Sequence, residues 1–269
     1  MIKIENVEVM GWEHAIRGMR NPKNSWERSD SRYNGVRYLT YADNEPECFY
    51  TEEGEPYVND AVVLGPNDHK LMIQLAKGGA VHAKYRRMIT VYLDITAPLY
   101  WWKEFDTYKV GTVVNSCSTM HKIHDKEFTL DDFSCEHLFY GDSELEDYLN
   151  ENAGSSVYMA AANPMHVMNI LVGTLNYYRM KFVEIDRMLH TKELSQEKII
   201  ELCKLKKKYW WQMIQLLPSS YNQKRTIMLN YEVLVGMYEW RKDHKLDEWK
   251  EFCKWIESLP CSELITGEV

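Results

Sequence analysis

The dipeptide Asn163-Pro164 and the residue Pro218 constrain this chain more than any other feature. An asparagine can cap a helix whose first residue is proline, because the N–H that proline lacks has no partner there anyway. Pro218 must end any helix that reaches it, since its ring removes a hydrogen bond and clashes with the turn before. The periodicity between them predicts two long helices. One runs from Asn163 to about residue 190. The other is opened by Ser195 with Glu197 and stops near Leu217. Two more helices are expected over 226–242 and 247–258.

Upstream, residues 2–9 (IKIENVEV) alternate apolar and polar, and residues 87–96 (RMITVYLDIT) are β-branched and alternating. Both patterns predict strands. Trp12 to Met19 and Asp68 to Lys77 predict helices. Asn67 would cap the second and Gly78-Gly79 would stop it. Pro98 suits the first turn of a helix reaching about Lys109. Residues 21–59 are rich in Asn, Asp, Ser, Glu, Pro and Gly and read as a long irregular connection. Residues 116–156 carry no clear pattern. Strands early and helices late predict an α+β fold, a mixed sheet with long helices. The expected organisation is a single domain over 1–269 with a helical part over about 163–258.

Charge narrows the function. Thirty-two Lys and Arg against 40 Asp and Glu leave a net charge of −8. Duplex phosphates need a cationic surface, so nucleic acid is not the expected partner. A small anionic ligand stays open, because local charge decides it. Nine Trp and 18 Tyr call for a large core or a broad ligand or subunit surface. Six Cys without a CxxC pair do not make a disulfide framework. No apolar run approaches the roughly 20 residues of a membrane helix, and the first residues lack a leader-like stretch. The expectation is a reduced, cytoplasmic protein away from the membrane.

Several side chains could carry chemistry. On a helix begun at Thr226, Asn230, Leu234, Met237 and Arg241 share one stripe. Its two polar ends would lie about 16 Å apart. A guanidinium on an apolar stripe needs an anionic or carbonyl partner. Two readings stay open: two contacts to an extended polar ligand, or Asn230 capping the helix and Arg241 snorkelling from its end. Cys117, His121, His124, Cys135 and His137 fall within 21 residues. Thiolate and imidazole are zinc ligands, so this cluster is a candidate metal site, although its spacing follows no standard zinc pattern. Cys117 between Ser116 and Ser118 could be a nucleophile if a base lay within reach, or a plain half-buried thiol. The basic run at 204–208 reads as a solvated helix face. The pairs Trp101-Trp102 and Trp210-Trp211 are expected to pack in a core or a subunit interface.

The segment Leu216-Leu217-Pro218, then Asn230 twelve residues after the proline, then Arg241 eleven after that, resembles the C-terminal part of the flavin-dependent thymidylate synthases. Asp243, His244 and Trp249 are similar to residues just downstream in that family. Pro98-Leu99-Tyr100 with Trp101, Trp102 and Phe105 resembles the aromatic helix that leads into the signature RHRxxSxNxxSxR. Placed from Pro98, the first three signature positions are Thr107, Tyr108 and Lys109. One inserted residue brings Asn115 and Ser118 onto the signature Asn and second Ser. Met120 takes the place of the final Arg. Thr and Met cannot supply the bidentate fork of an arginine, so the signature is degraded here. Gly79 and His82, with two extra residues before the strand, resemble the family's Gly and His. Read alone, His82 leaves two readings open, a satisfied structural histidine or a contact to a flavin or nucleotide. Glu232 and Gly236 also depart from the family.

The resemblance implies a fold, a chemistry and a site. It implies a homotetramer with a flavin, FAD, at subunit interfaces and a pyrimidine nucleotide, dUMP or a relative, beside it. Methylenetetrahydrofolate would supply one carbon, NADPH would reduce the flavin, and no protein nucleophile would attack the base. Arg241, Lys109 and Ser118 would bind the nucleotide. Asn230, Asn115, His244 and His82 would bind the flavin. A catalytic residue is not assigned. The implied alternatives are a non-catalytic oligomeric homologue that binds a nucleotide or a protein partner, and a structural zinc protein built on the 117–137 cluster.

Overall fold

The computed structural model describes residues 2–33, 62–138, 163–191 and 193–267. In chain order its elements are β1 (Lys3–Met10), α1 (Trp12–Arg20), β2 (Arg32–Tyr33), β3 (Val62–Val63), α2 (Pro66–Lys77), β4 (Thr90–Pro98), α3 (Leu99–Phe105) and β5 (Val113–Ser116). Then come α4 (Thr119–Lys122), α5 (Pro164–Thr191), α6 (Gln196–Leu216), β6 (Asn222–Asn230), α7 (Tyr231–Arg241), α8 (Asp247–Glu257) and α9 (Glu263–Thr266). The fold is α+β. Most of the expected connection at 21–59, and the stretch from 139 to 162, lie outside the described residues.

The chain divides into two compact units. One contains Ala97–Tyr100 and Cys117–Gln223. Here α5 and α6 pack on each other through Met168, Leu175, Phe182 and Met213, with Ile123, Phe128 and Phe133 closing the core. The Asn163 carboxamide accepts from the His166 N–H at 2.8 Å, and the Ser195 hydroxyl accepts from Lys198 N–H. Both helices therefore start where the sequence placed their caps. Asn176 grips the backbone of Phe128, accepting from its N–H and donating to its carbonyl, each at 2.8 Å.

The other unit contains Ile2–Thr96, Trp101–Ser116 and Lys224–Val269. Its sheet has the order β1-β4-β6-β5. β1 runs antiparallel to β4 from Lys3↔Thr96 to Met10↔Thr90, with a bulge between Glu5 and Glu8. β5 runs antiparallel to β6 from Val113↔Met228 to Ser116↔Arg225. Alternate residues of β4, namely Val91, Leu93 and Ile95, are fully buried, as period-2 patterning requires. Trp101, Trp102, Phe105, Trp249 and Phe252 form an aromatic core, and Trp12 meets Tyr231 edge-on at 5.6 Å. No helix of the described residues is long and apolar enough to cross a membrane.

Three local expectations need correction. The expected helix over 226–242 starts only at Tyr231, because residues 222–230 form a strand. The β-branched pair Thr226-Ile227 and the alternating burial of Gln223, Ile227 and Leu229 suit a sheet, and tertiary pairing with β5 overrides the helical period. Asn67 does not cap α2. Gly65 is the N-cap, and the Asp30 carboxylate reaches across the fold to accept from the N–H groups of Asn67 and Asp68. α3 stops at Phe105 rather than near Lys109, as Thr107 turns back to donate to the Glu104 carbonyl at 2.7 Å.

A buried ion pair fastens α1 to α2. Asp68 is fully buried and accepts from Arg20 Nε at 2.6 Å, from the Ser29 and Ser31 hydroxyls at 2.6 and 2.7 Å, and from the backbone N–H of Ser31 at 3.1 Å. Burial alone would raise this carboxyl, but the Ser29, Ser31 and Arg20 hydrogen bonds hold it below its ordinary value.

Candidate functional site

The unit that carries the sheet gathers a polar cluster on its aromatic core. α3 carries Glu104 in its last turn, the turn after it carries Tyr108, α7 ends in Arg241, and the next turn and α8 carry His244 and Trp249. Glu104 Oε2 accepts from Arg241 at 2.5 Å and from Trp249 Nε1 at 3.0 Å, and His244 Nε2 lies 3.4 Å away. Arg241 Nε also donates to the Tyr108 hydroxyl at 2.9 Å. The guanidinium carbon stands 4.6 Å from the Trp249 ring centre, a cation–π contact. His244 Nδ1 accepts from the Leu246 N–H at 3.1 Å, so its Nε2 carries the hydrogen when the ring is neutral and points it at Glu104. The Arg241 side chain is 17% exposed and that of Glu104 34%, so the cluster opens to solvent at one side.

The other end of α7 is built by Asn230. Its side-chain oxygen accepts from the Val233 N–H at 3.1 Å, which makes it the N-cap and not a residue of the helical stripe. The turn between α3 and β5 passes close to this cap. A Cβ on Gly111 would lie 3.0 Å from a Val233 methyl and 3.1 Å from the Asn230 amide nitrogen, and its φ of +79° already favours glycine. Residues 108–111 therefore touch both ends of α7, through Tyr108 at Arg241 and Gly111 at Asn230. Buried polar atoms of this unit without a hydrogen-bond partner include Arg86 Nε, Glu232 Oε2 and the Thr112 hydroxyl. Arg86 and Glu232 approach only to 3.8 Å.

The remaining residues named from the sequence are more scattered. Lys109 is exposed on the same turn as Tyr108, and Asn115 is exposed on β5 opposite Thr226. His82 is exposed in the turn after α2, its ring close against Gly78. Ser118 belongs to the helical unit, where its hydroxyl caps α4 by accepting from the His121 N–H at 3.2 Å. Arg241, His244 and Trp249 are thus brought together, and the α3–β5 turn that carries Lys109 passes close to Asn230.

The five residues of the 117–137 cluster do not bring three donor atoms within 4.8 Å of one another. None of its five residues joins a group of three ligating atoms among the described residues. Cys117, His121 and His137 are exposed. The His124 ring packs on Phe182 at 4.4 Å, and burial lowers its pKa. Burial also raises the Cys135 thiol. The basic run at 204–208 behaves as a helix face, with Lys206 paired to Asp186 over the Phe182 ring.

Glu104 was not foreseen. The signal was present in Trp101-Trp102-Lys103-Glu104-Phe105, where one carboxylate sits among three aromatic residues. A helix that buries both tryptophans and Phe105 must direct that carboxylate to the edge of the aromatic core.

No protein-family model matches the sequence, and no curated protein matches it. Solved structures do. Thymidylate synthase X from Helicobacter pylori, in a crystal structure with FAD and dUMP, superposes with a TM-score of 0.53 at 13% identity over 100% of this chain and 98% of that one. A second structure of the H. pylori flavin-dependent enzyme with FAD and dUMP gives 0.52 at 14% identity, over 98% of each chain. The chain therefore has the fold of the flavin-dependent thymidylate synthases. At this level of identity the likeness establishes the fold alone.

Proposed function

We propose that this protein binds a pyrimidine nucleotide beside a flavin on a thymidylate synthase X-like scaffold. The observation that carries the reading is the convergence of Arg241, His244 and Trp249 on Glu104 and Tyr108. These are residues on which the sequence resemblance rests, and the chain has the corresponding fold.

The residues present fit both groups in kind. A nucleotide offers phosphate and carbonyl oxygens, and Arg241 and Lys109 are cations on adjoining segments. A flavin ring edge offers amide-like donors and acceptors. Arg86 Nε, Glu232 Oε2 and the Thr112 hydroxyl are buried donors and acceptors in need of partners. Arg241 would hold the nucleotide through charge-assisted hydrogen bonds. Glu104 and Tyr108 would fix the plane of its guanidinium, and Lys109 would meet phosphate. Asn230 would direct its amide nitrogen to the flavin while its oxygen keeps the helix cap. His244, Asn115 and His82 would complete the flavin contacts. A bound flavin would supply hydride chemistry, with NADPH as reductant and methylenetetrahydrofolate as one-carbon donor. The protein's part is to bind and orient.

A second reading draws on Thr107 and Met120, which stand where the signature has arginines. Each lost guanidinium removes charge-assisted hydrogen bonds of about 1.5–3 kcal/mol. On this reading the protein keeps the oligomeric scaffold, a homotetramer, and binds a nucleotide without transferring a carbon to it.

The test uses the purified chain. Bound flavin absorbance, a calorimetric dUMP isotherm and loss of that isotherm in Arg241→Ala at unchanged oligomer size are the expected results. Colourless protein that binds neither FAD nor dUMP overturns the proposal. Nucleotide binding with no dTMP formed from dUMP, NADPH and methylenetetrahydrofolate selects the second reading.

A further inference from the structure

A second group of reactive side chains lies in the sheet-bearing unit and takes no part in the site above. His69 projects from α2, Glu263 is the first residue of α9, and Cys261 lies two residues before it. One ligating atom from each, an imidazole nitrogen, a thiol sulfur and a carboxylate oxygen, lies within 4.8 Å of the other two. All three residues are half-buried. His69 Nε2 contacts Glu263 Oε1 directly. We propose that His69, Cys261 and Glu263 form a binding site for one divalent transition metal of the zinc type.

The donor chemistry supports this assignment. Zinc takes thiolate, imidazole and carboxylate ligands at about 2.0–2.3 Å, and three protein ligands with a fourth position left for water is a common open arrangement. Tetrahedral ligands at those bond lengths stand about 3.3–3.6 Å apart. A span of 4.8 Å between donors thus needs only a small contraction around the ion. The His69 and Glu263 side chains are 36% and 27% exposed, which leaves an entry path for the ion and room for water. Thiolate and carboxylate together balance a divalent charge. The sulfur ligand excludes calcium and magnesium, which take oxygen.

The backbone singles out Cys261. Its φ is +51°, a left-handed conformation rare for a residue with a Cβ, and just before it the Pro260 carbonyl accepts from the Tyr231 hydroxyl at 2.5 Å. An ion pair between His69 and Glu263 would not require a thiol at this strained position, whereas a three-ligand metal site does. Metal binding would displace the thiol proton, and the bound ion would tie α2 to the C-terminal turn.

Cobalt(II) is the direct probe. Metal-stripped full-length protein should bind one equivalent of cobalt with a thiolate-to-metal charge-transfer band and the intense visible bands of four-coordination. Zinc should displace cobalt and raise the melting temperature. Cys261→Ser should abolish the charge-transfer band. His69→Gln and Glu263→Gln should keep a weaker band and lower zinc affinity by more than the roughly 10–100-fold typical of losing an outer-shell partner. The His69 side chain is the more exposed of the His69–Glu263 pair, so His69→Gln tests the site even if the cysteine variant folds poorly. Absence of stoichiometric cobalt binding, or a charge-transfer band that survives in folded Cys261→Ser, overturns the proposal.

Discussion

Replacing Glu104 by glutamine keeps the shape of the side chain and removes its charge. In the native protein a single oxygen, Oε2, serves Arg241 at 2.5 Å, Trp249 Nε1 at 3.0 Å and His244 at 3.4 Å. A hydrogen bond to a charged group contributes about 1.5–3 kcal/mol, and a neutral one about 0.5–1.5. The carboxylate is 34% exposed and the guanidinium 17%, so solvent screening reduces the difference to about 1 kcal/mol. Glu104→Gln should therefore lower unfolding stability by about 1 kcal/mol. Glu104→Ala should cost about 2–3 kcal/mol, because the fully buried Trp249 then loses the acceptor of its indole N–H as well. A double-mutant cycle with Arg241→Ala, measured by urea unfolding, should return a coupling of about 1 kcal/mol. The functional consequence runs the other way. The glutamine keeps an acceptor for Arg241 but no longer neutralises it or repels an anionic ligand, so dUMP affinity should rise about tenfold, equivalent to about 1.4 kcal/mol. Zero coupling between Glu104 and Arg241, together with weaker or unchanged dUMP binding in Glu104→Gln, would refute the argument that this carboxylate holds a ligand-binding guanidinium.

Asp68→Ala should destabilise by about 3–5 kcal/mol in calorimetry, because it leaves the buried Arg20 unpaired. Since the folded pKa of Asp68 is lowered, its contribution is present above the ordinary carboxyl value of 3.8 and lost as pH falls through the folded value. The acid limb of a stability–pH curve should accordingly flatten in Asp68→Asn. Gly111→Ala must place a Cβ against Val233 and Asn230 at a positive φ; about 1–3 kcal/mol of lost stability and weaker flavin binding are expected, read by denaturation and by fluorescence. Asn230→Ser retains an N-cap, so stability should change by less than about 0.5 kcal/mol while flavin affinity falls. Unchanged flavin affinity at unchanged stability would show that Asn230 is a cap and nothing more.

How much of this was legible in the sequence depends on where each element finds its partners. The starts of α5 and α6 are decided by residues within three positions of the cap, Asn163 with His166 and Ser195 with Lys198, and local chemistry of that kind can be read directly. β4 was legible because its burial alternates strictly. β6 was not. Its residues 226–230 also fit the stripe of the helix that follows, and only pairing with β5 decides for the strand. The cap of α2 was hidden for a similar reason, since the Asp30 carboxylate that satisfies its first turn comes from 37 residues upstream for Asn67 and 38 for Asp68.

The site shows the same division, and it bears on function. Arg241 could be picked out by its spacing from Asn230 and Pro218, but what faces it could not, because Glu104 lies 137 residues away in sequence. That pairing changes the meaning of the degraded signature. On the sequence resemblance, Thr107 and Met120 would fall on signature positions without supplying their guanidinium groups, while Arg241 is shared with a carboxylate and flanked by Tyr108 and Trp249. A site with fewer cations, and with its retained cation already partnered, attracts a phosphate less strongly. It also holds its guanidinium in one plane, with orientation maintained at the expense of charge. Such an arrangement suits a ligand recognised by the hydrogen-bonding edge of its base more than by its phosphate. The two contributions separate experimentally. If base recognition dominates, deoxyuridine should approach dUMP in affinity for this protein, and raising ionic strength should weaken dUMP binding only slightly. A strong preference for the phosphorylated ligand that collapses with salt would instead mean that Lys109 and its neighbours supply the missing positive charge.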